Sequence, residues 1–247
     1  MVKRLIDFFS SALGLLLVSP VMLPVMLLVW LQDRHSPFYI ADRAGFRGKN
    51  FRMVKLRSMV INADKSGVDS TSTNDRRITA VGHFIRRFKL DELSQLWNVI
   101  IGDMSLVGPR PNVASEVARY TEEEMGLLEA KPGITDISSI VFSDEGDILS
   151  DSEDPDLDYN RLIRPWKSRL GLLYIENQGL LLDLSLIALT VVAIVSKRRA
   201  LMALSWILHR LDAPDELIAV SERRTELAPH APPGANRPVV PADLGHG

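Results

Sequence analysis

The longest run of apolar positions is FFSSALGLLLVSPVMLPVMLLVWL, residues 8–31, and it carries no charge. A straight helix of that length, rising ~1.5 Å per residue, reaches about 36 Å, enough to cross a bilayer. The run is too long for the apolar core of a cleaved signal peptide, and no small-x-small cleavage site follows it. Pro20 and Pro24 interrupt it. Each removes an amide donor and crowds the preceding turn, so the pattern predicts a bend near Pro20, with the Ser19 hydroxyl returning a hydrogen bond to the freed backbone. Bent there, each arm of roughly 12 residues spans only ~18 Å. Lys3 and Arg4 precede the run, and Arg34, Arg43, Arg47 and Lys49 follow it. Positive flanks hold both ends on the cytoplasmic face. The expectation over 1–33 is a re-entrant helix–break–helix. A kinked single span is the alternative.

Past this segment the period changes. Two short apolar-rich runs around a Gly-containing loop predict a β-hairpin with strands near 38–41 and 51–56. Strand alternation puts Lys55 and Arg57 on one face, as functional cations or as edge charges that discourage aggregation. Residues 61–79 are polar and loop-like. A helical pattern then runs to Gly102, a C-terminal stop. Within it, KLDELSQLW places Leu90, Leu93, Leu96 and Trp97 on a buried stripe and leaves Asp91 and Glu92 at the polar edge. In GDMSLVGPRP, Pro109 and Pro111 flank Arg110 and stiffen its backbone. The loop either presents a guanidinium to phosphate or is a rigid connector whose Arg pairs with a carboxylate.

Thr121 and Glu124 have capping-box spacing, predicting a helix start, and Pro132–Gly133 signals a turn. The acidic stretch 144–158 has few apolar residues and predicts a solvated loop, without the spacing of a calcium loop. Leu180 to Val195 is apolar but short for a span, so it reads as a core or interfacial helix. The next segment has cations at both ends and Trp206 between them, as in a helix lying among headgroups, with packing against the body as the alternative. From Pro229 the chain is Pro-rich and expected to be disordered. The fold class expected is mainly α with a small β-hairpin: a membrane hairpin over 1–33, a cytosolic body over 34–195, interfacial helices over 196–228 and a tail over 229–247.

Composition narrows this picture. The 247 residues are 46% apolar, enough for one domain with attachments, and the net charge of −2 conceals segregated signs. The basic segments suit phosphates or anionic headgroups, and no nucleic-acid recognition motif is interleaved with them. The absence of cysteine excludes disulfides, thiolate metal sites and a Cys nucleophile.

An Asp–Glu pair on a helix surface is commonly structural. Here it stands beside Arg86, Arg87 and Lys89, upstream of the stiff Arg110 loop, in a chain that carries a membrane anchor. Phosphoryl transfer needs a nucleophile, a magnesium ion and guanidinium groups to hold charge on phosphate.

KRLIDFF leading into an apolar Ser-Pro segment, VKLRSM, LDELSQLWNVIIGDMSLVGPRP and KPGIT together resemble the bacterial sugar transferases. These are the monotopic polyprenyl-phosphate phosphoglycosyl transferases that begin lipid-linked glycan assembly. The resemblance implies a re-entrant helix broken at Ser19–Pro20. It implies that Asp91 attacks the β-phosphate of a UDP-sugar, that UMP leaves, and that undecaprenyl phosphate takes the phosphosugar from the enzyme. It gives Glu92 a part in Mg2+ binding or proton handling, Asp91 a place beside it at the metal, and Arg86 and Arg110 contact with phosphate. Lys55 and Arg57 follow as members of the basic strand motif. It also implies an active site on the cytoplasmic face of the bacterial inner membrane, with membrane lipids, a homodimer and downstream glycosyltransferases as candidate partners. The chain departs from the family pattern at RAG (43–45), at PGITD with the segment that follows it, and at Gly171. A membrane-anchored, non-catalytic scaffold of glycan assembly is the rival, and a single-pass phosphohydrolase a further one.

Overall fold

In the computed structural model, which describes residues 2–63, 75–224 and 226–244, the apolar run is one helix, α1 (Val2–Asp33), with both prolines inside it. Pro20 cannot donate to the carbonyl of Leu16, and Ser19 Oγ donates to that oxygen instead at 2.8 Å. The acceptor is satisfied and the helix continues. The expected two arms separated by a break are thus a single helical element. Among the described residues it is the one helix long and apolar enough to cross a membrane, and Phe9, Leu13, Leu16, Leu17 and Leu23 on it are exposed.

Both ends of α1 are fastened to the rest of the protein. Near its start, Arg4 donates to the carbonyls of Val99 and Ile100. The Asp7 carboxylate accepts from Ser105 Oγ at 2.8 Å and from the Leu106 amide at 3.1 Å. Near its end, Met22, Val25 and Val29 pack with Leu56, Ile85 and Leu90, and Arg57 pairs with Asp33.

The expected hairpin is present as β1 (Phe38–Ala44) and β2 (Asn50–Leu56), antiparallel, with Tyr39 opposite Lys55. Residues 64–74 of the expected loop lie outside the described residues, and a bridge between Met59 and Ile78 joins its flanks. The single helix expected up to Gly102 is three: α2 (Ala80–Arg87), α3 (Leu90–Leu93) and α4 (Leu96–Ile101). Lys89, at φ 54°, breaks α2 from α3, and Gly102, at φ 97°, ends α4 as its position predicts. The break corrects the expected stripe. Leu90 and Leu96 are buried and Leu93 half-buried, but Trp97 is 52% exposed. Asn98 is buried instead, and its amide accepts from the Val54 N–H at 2.9 Å and donates to the Arg52 carbonyl at 2.8 Å. A polar side chain that spends its hydrogen bonds on a strand backbone can enter a core that hydropathy assigns to apolar residues.

Next comes β3 (Ser105–Val107), then α5 (Ala114–Val117), a 3-10 helix over Glu124–Glu129, and β4 (Gly133–Thr135), parallel to β3. Pro132–Gly133, expected to turn, instead opens a strand. The reason is a close approach of backbones: a Cβ on Gly133 would stand 2.1 Å from the Gly108 nitrogen. Gly133→Ala is therefore expected to cost about 3 kcal/mol through overpacking that only backbone movement can relieve. A lowered thermal midpoint checks it. The Thr121–Glu124 box forms reciprocally, each side chain taking the other's amide at 3.1 Å, but it opens the short 3-10 helix rather than an α-helix.

The remaining helices are α6 (Ile137–Val141), α7 (Glu145–Ile148), α8 (Pro155–Asp158), a π-helical stretch over Tyr159–Ile163, α9 (Arg164–Glu176), α10 (Leu180–Val195), α11 (Lys197–Arg210) and α12 (Asp215–Ser221). One core joins Ile140, Leu149, Leu170, Leu186, Leu204 and Leu217, so α11 and α12 share it with the preceding helices. α10 is both core and surface: Leu182, Leu186 and Leu189 are buried, while Leu181, Ile194 and Val195 are exposed.

Two segments, the acidic stretch expected as a solvated loop and the Pro-rich tail, have partners elsewhere in the chain. The acidic stretch folds into α7 and α8. Leu149 is fully buried there, Glu145 pairs with Lys167, and Asp144 with Lys197. Cations distant in sequence pair with Asp144 and Glu145 at its start, and Asp154 caps α8 through the Leu157 amide. The Pro-rich tail packs against α9 and the π-helical stretch before it. Arg161 and Arg169 donate to the carbonyls of Val239 and Ala231, both at 2.8 Å, and His230 stacks on Trp166. An extended segment can borrow its hydrogen bonds and apolar contacts without forming a core of its own. The whole is mainly helical with a small antiparallel sheet.

Candidate active site

A cleft of about 870 Å³ gathers Lys55, Arg86, Asp91, Glu92 and Arg110. Each arrives by a different local rule. β2 carries Lys55. The left-handed Lys89 starts α3 afresh and so sets Asp91 and Glu92 in its first turn. The Gly108–Gly133 contact presses the Arg110 loop onto β4, and the Gly133 amide donates to the Pro109 carbonyl at 2.9 Å. Arg110 Nη2 then reaches Glu92 Oε1 at 2.6 Å. Arg86 donates to Ser58 Oγ at 3.2 Å. Of the two readings of Arg110 the structure shows the pairing with a carboxylate, and the side chain also lines the cleft.

The two carboxylates are shifted in opposite directions. Burial would raise the Glu92 carboxyl, but the Arg110 guanidinium overrides it and holds Glu92 ionised, well below the usual carboxylate range. Asp91 moves the other way: burial pushes it up and the Glu92 charge adds to that, against the pull of Lys55 and Arg86. Asp91 Oδ1 is buried and has no hydrogen-bond partner. Lys55 is lowered to about 8, first by burial and then by the Arg110 charge. An unsatisfied carboxylate oxygen facing cations is costly to stability, and such cost concentrates where chemistry is done.

Arg57 does not join this group. It donates to both Asp33 oxygens, at 2.5 and 2.8 Å, and to the Ser36 carbonyl at 2.9 Å, closing the end of α1 onto β2. Ser19 and Pro20 lie on α1, outside the cleft lining.

The cleft also holds residues that the sequence reading passed over. Asn112 Nδ2 donates to Glu116 Oε1 at 3.0 Å and to the Tyr120 hydroxyl at 2.7 Å. Glu145 and Lys167, on α7 and α9, line the cleft as well. The i, i+4, i+8 spacing of Asn112, Glu116 and Tyr120 directly after GPRP was the available signal. Glu145 offered none, because its partner lies far along the chain.

Among the described residues no cluster of three or more acidic or His side chains is disposed to hold a metal. Magnesium needs fewer, since one or two carboxylates and the substrate's phosphates complete its shell. The unpartnered Asp91 oxygen beside Glu92 is a hard donor of that kind.

A family model described as bacterial sugar transferase matches residues 1–197. The chain is 36% identical over 193 residues to the UDP-glucose:undecaprenyl-phosphate glucose-1-phosphate transferase of Klebsiella pneumoniae, covering 76% of this chain and 39% of that one. It is 42% identical over 148 residues to the undecaprenyl-phosphate galactose phosphotransferase of Salmonella typhimurium, covering 54% and 31%. It is 32% identical over 211 residues to the exopolysaccharide production protein ExoY of Sinorhizobium fredii, covering 79% and 86%. The chain thus spans about a third of the length of the first two relatives and most of the third. With a family match over most of its length, and with the dyad, the basic strand and the GPRP loop assembled in one cleft, the chain belongs to the bacterial sugar transferase family.

Proposed function

We propose that the chain transfers a phosphosugar from a UDP-sugar to undecaprenyl phosphate and so starts the assembly of a surface glycan. The observation that carries this reading is the buried, unpartnered Asp91 oxygen in a cleft whose other carboxylate is locked to Arg110. Ionised Asp91 attacks the β-phosphorus of the donor, the bond to the bridging oxygen breaks, and UMP leaves. The phosphosugar is then held on Asp91 as an acyl phosphate. An oxygen of undecaprenyl phosphate attacks the same phosphorus, the acyl-phosphate bond breaks, and the carboxylate is restored as undecaprenyl-diphospho-sugar departs. Lys55, Arg86 and Arg110 hold the diphosphate oxygens and stabilise charge in the transition state. Asp91 and Glu92 would hold Mg2+, which would supply further neutralisation of the phosphate charge.

The attachment of both ends of α1 to one body supports an anchor that enters and leaves a single leaflet. A helix crossing the bilayer would carry one end about 40 Å away from that body. The cleft then lies at headgroup height on the cytoplasmic face of the inner membrane. Accessibility labelling at Lys3 and Lys49 tests this: modification from the same side is expected, and opposite sides would overturn it.

Turnover is tested by UMP release from a panel of UDP-sugars, with and without undecaprenyl phosphate and Mg2+. Repeated UMP release that depends on lipid and Mg2+, from one sugar, is expected, beyond the single equivalent that donor alone gives. Inserted, folded protein that releases none from any donor would favour the scaffold.

The opposed shifts of Asp91 and Lys55 predict a bell-shaped pH profile in kcat/KM, which reports the free enzyme. Asp91 must lose its proton, so the acid limb lies above the ordinary carboxylate range. Lys55 must keep its proton to hold phosphate, so activity falls as pH rises through about 8. Lys55→Arg, which stays charged, is expected to remove the alkaline limb and leave the acid one in place.

A further inference from the structure

A second groove, of about 1060 Å³, lies away from the dyad between α7, α11 and the chain after α12. Leu201, Met202 and Leu227 give it an apolar wall, while Lys197, Arg198, Arg223 and Arg224 stand around it. Three acids, Asp144, Glu222 and Glu226, also line the groove and leave the four cations one positive charge in excess. Asp144 Oδ2 serves both Lys197, at 2.5 Å, and Arg223, at 3.6 Å, and Glu222 takes Arg224 at 2.9 Å. Arg223 Nη1 is buried without a hydrogen-bond partner. The groove is built largely from residues beyond 197, where the family match ends. Its surroundings are apolar and exposed: Ile194 and Val195 end α10 just before Lys197, and Met202 and Trp206 stand out from α11.

Cations beside a greasy channel, next to exposed apolar side chains, complement a molecule with a phosphate head and a hydrocarbon tail. We propose that this groove binds one anionic phospholipid of the surrounding bilayer, its phosphate against Lys197, Arg198 and Arg223 and an acyl chain along Leu201, Met202 and Leu227. The inference rests on the membrane association of the chain and not on its chemistry, so it stands or falls separately from the transfer reaction. Asp144 also lines the catalytic cleft. A phosphate that draws Lys197 and Arg223 towards itself therefore changes the charge balance at the cleft wall.

The test is native mass spectrometry of the full chain in neutral detergent, offered phosphatidylglycerol or phosphatidylcholine. A single phosphatidylglycerol adduct is expected, preferred about tenfold over phosphatidylcholine and reduced by a similar factor in Arg198→Gln/Arg223→Gln. Arg198→Gln/Arg224→Gln, at two exposed positions, is expected to weaken the adduct in the same direction and serves if the first variant does not fold. Equal retention of the two lipids, or an adduct that both variants keep, would overturn the proposal. Displacement by millimolar inorganic phosphate would overturn it too, revealing a site for the anion alone.

Discussion

Asp91→Asn is expected to remove lipid-dependent UMP release by on the order of 10⁴-fold or more while leaving the fold intact. The two halves of this result come from the same atom. In the proposed reaction the carboxylate is the nucleophile, and an amide of the same shape cannot form the acyl phosphate. Yet Asp91 is also a liability in the folded state, where burial raises its pKa and Oδ1 has no partner. A carboxyl raised on folding contributes stability below its unfolded pKa and loses that contribution as pH rises through the folded value. At neutral pH the neutral amide avoids this loss, so the thermal midpoint of Asp91→Asn should equal or exceed that of the wild type. Inactivity with an undiminished midpoint would mark chemistry rather than folding as the casualty. Mass spectrometry on wild type given donor alone should find the phosphosugar on Asp91, and full turnover by the variant would sink the assignment.

Arg164→Met is expected to be among the most damaging changes to stability. Arg164 and Glu124 are both buried, paired at 2.5 Å. Glu124 also accepts from Ser168 Oγ at 2.7 Å and from the Thr121 amide, while Arg164 donates to Asn160 and to the Arg119 carbonyl. Removing the guanidinium strands a buried carboxylate, at a cost of about 3–5 kcal/mol. In a chain of this size that lowers the thermal midpoint by about 10 °C. Replacing both partners by apolar residues leaves no stranded charge, so Glu124→Leu/Arg164→Met should lose less than Arg164→Met alone. Additive losses would show that packing, not charge burial, is what the pair provides.

These two sites were unequally legible in the sequence. Asp91, Glu92 and Arg110 stand within twenty residues of each other, with prolines and a Gly stop to mark the elements around them, and the structure brings them together. The β-hairpin, the Gly102 stop and the capping box were legible for the same reason, since each is decided by neighbours in the chain. The break at Lys89 was not, because a left-handed residue inside a helical pattern leaves no periodic trace. The folding of 144–158 depends on Lys167, Lys197 and Arg223, and the order of the tail on Arg161 and Arg169. Composition alone reads such segments as solvated, because the charges that complete them come from elsewhere. Arg57 shows the opposite failure: strand alternation grouped it with the cleft-lining Lys55, but it stands just past the end of β2 and turns to Asp33 instead.

The fastening of α1 at both ends has a practical consequence. Removing the greasy helix to obtain a soluble enzyme would uncover Leu56, Ile85 and Leu90 and deprive Ser105 and Leu106 of the Asp7 carboxylate. Such a truncation is expected to aggregate. The helix is a wall of the folding unit rather than a tether, and because it packs against Leu56 and Leu90 any shift of it is passed to the strand and helix that carry Lys55, Asp91 and Glu92.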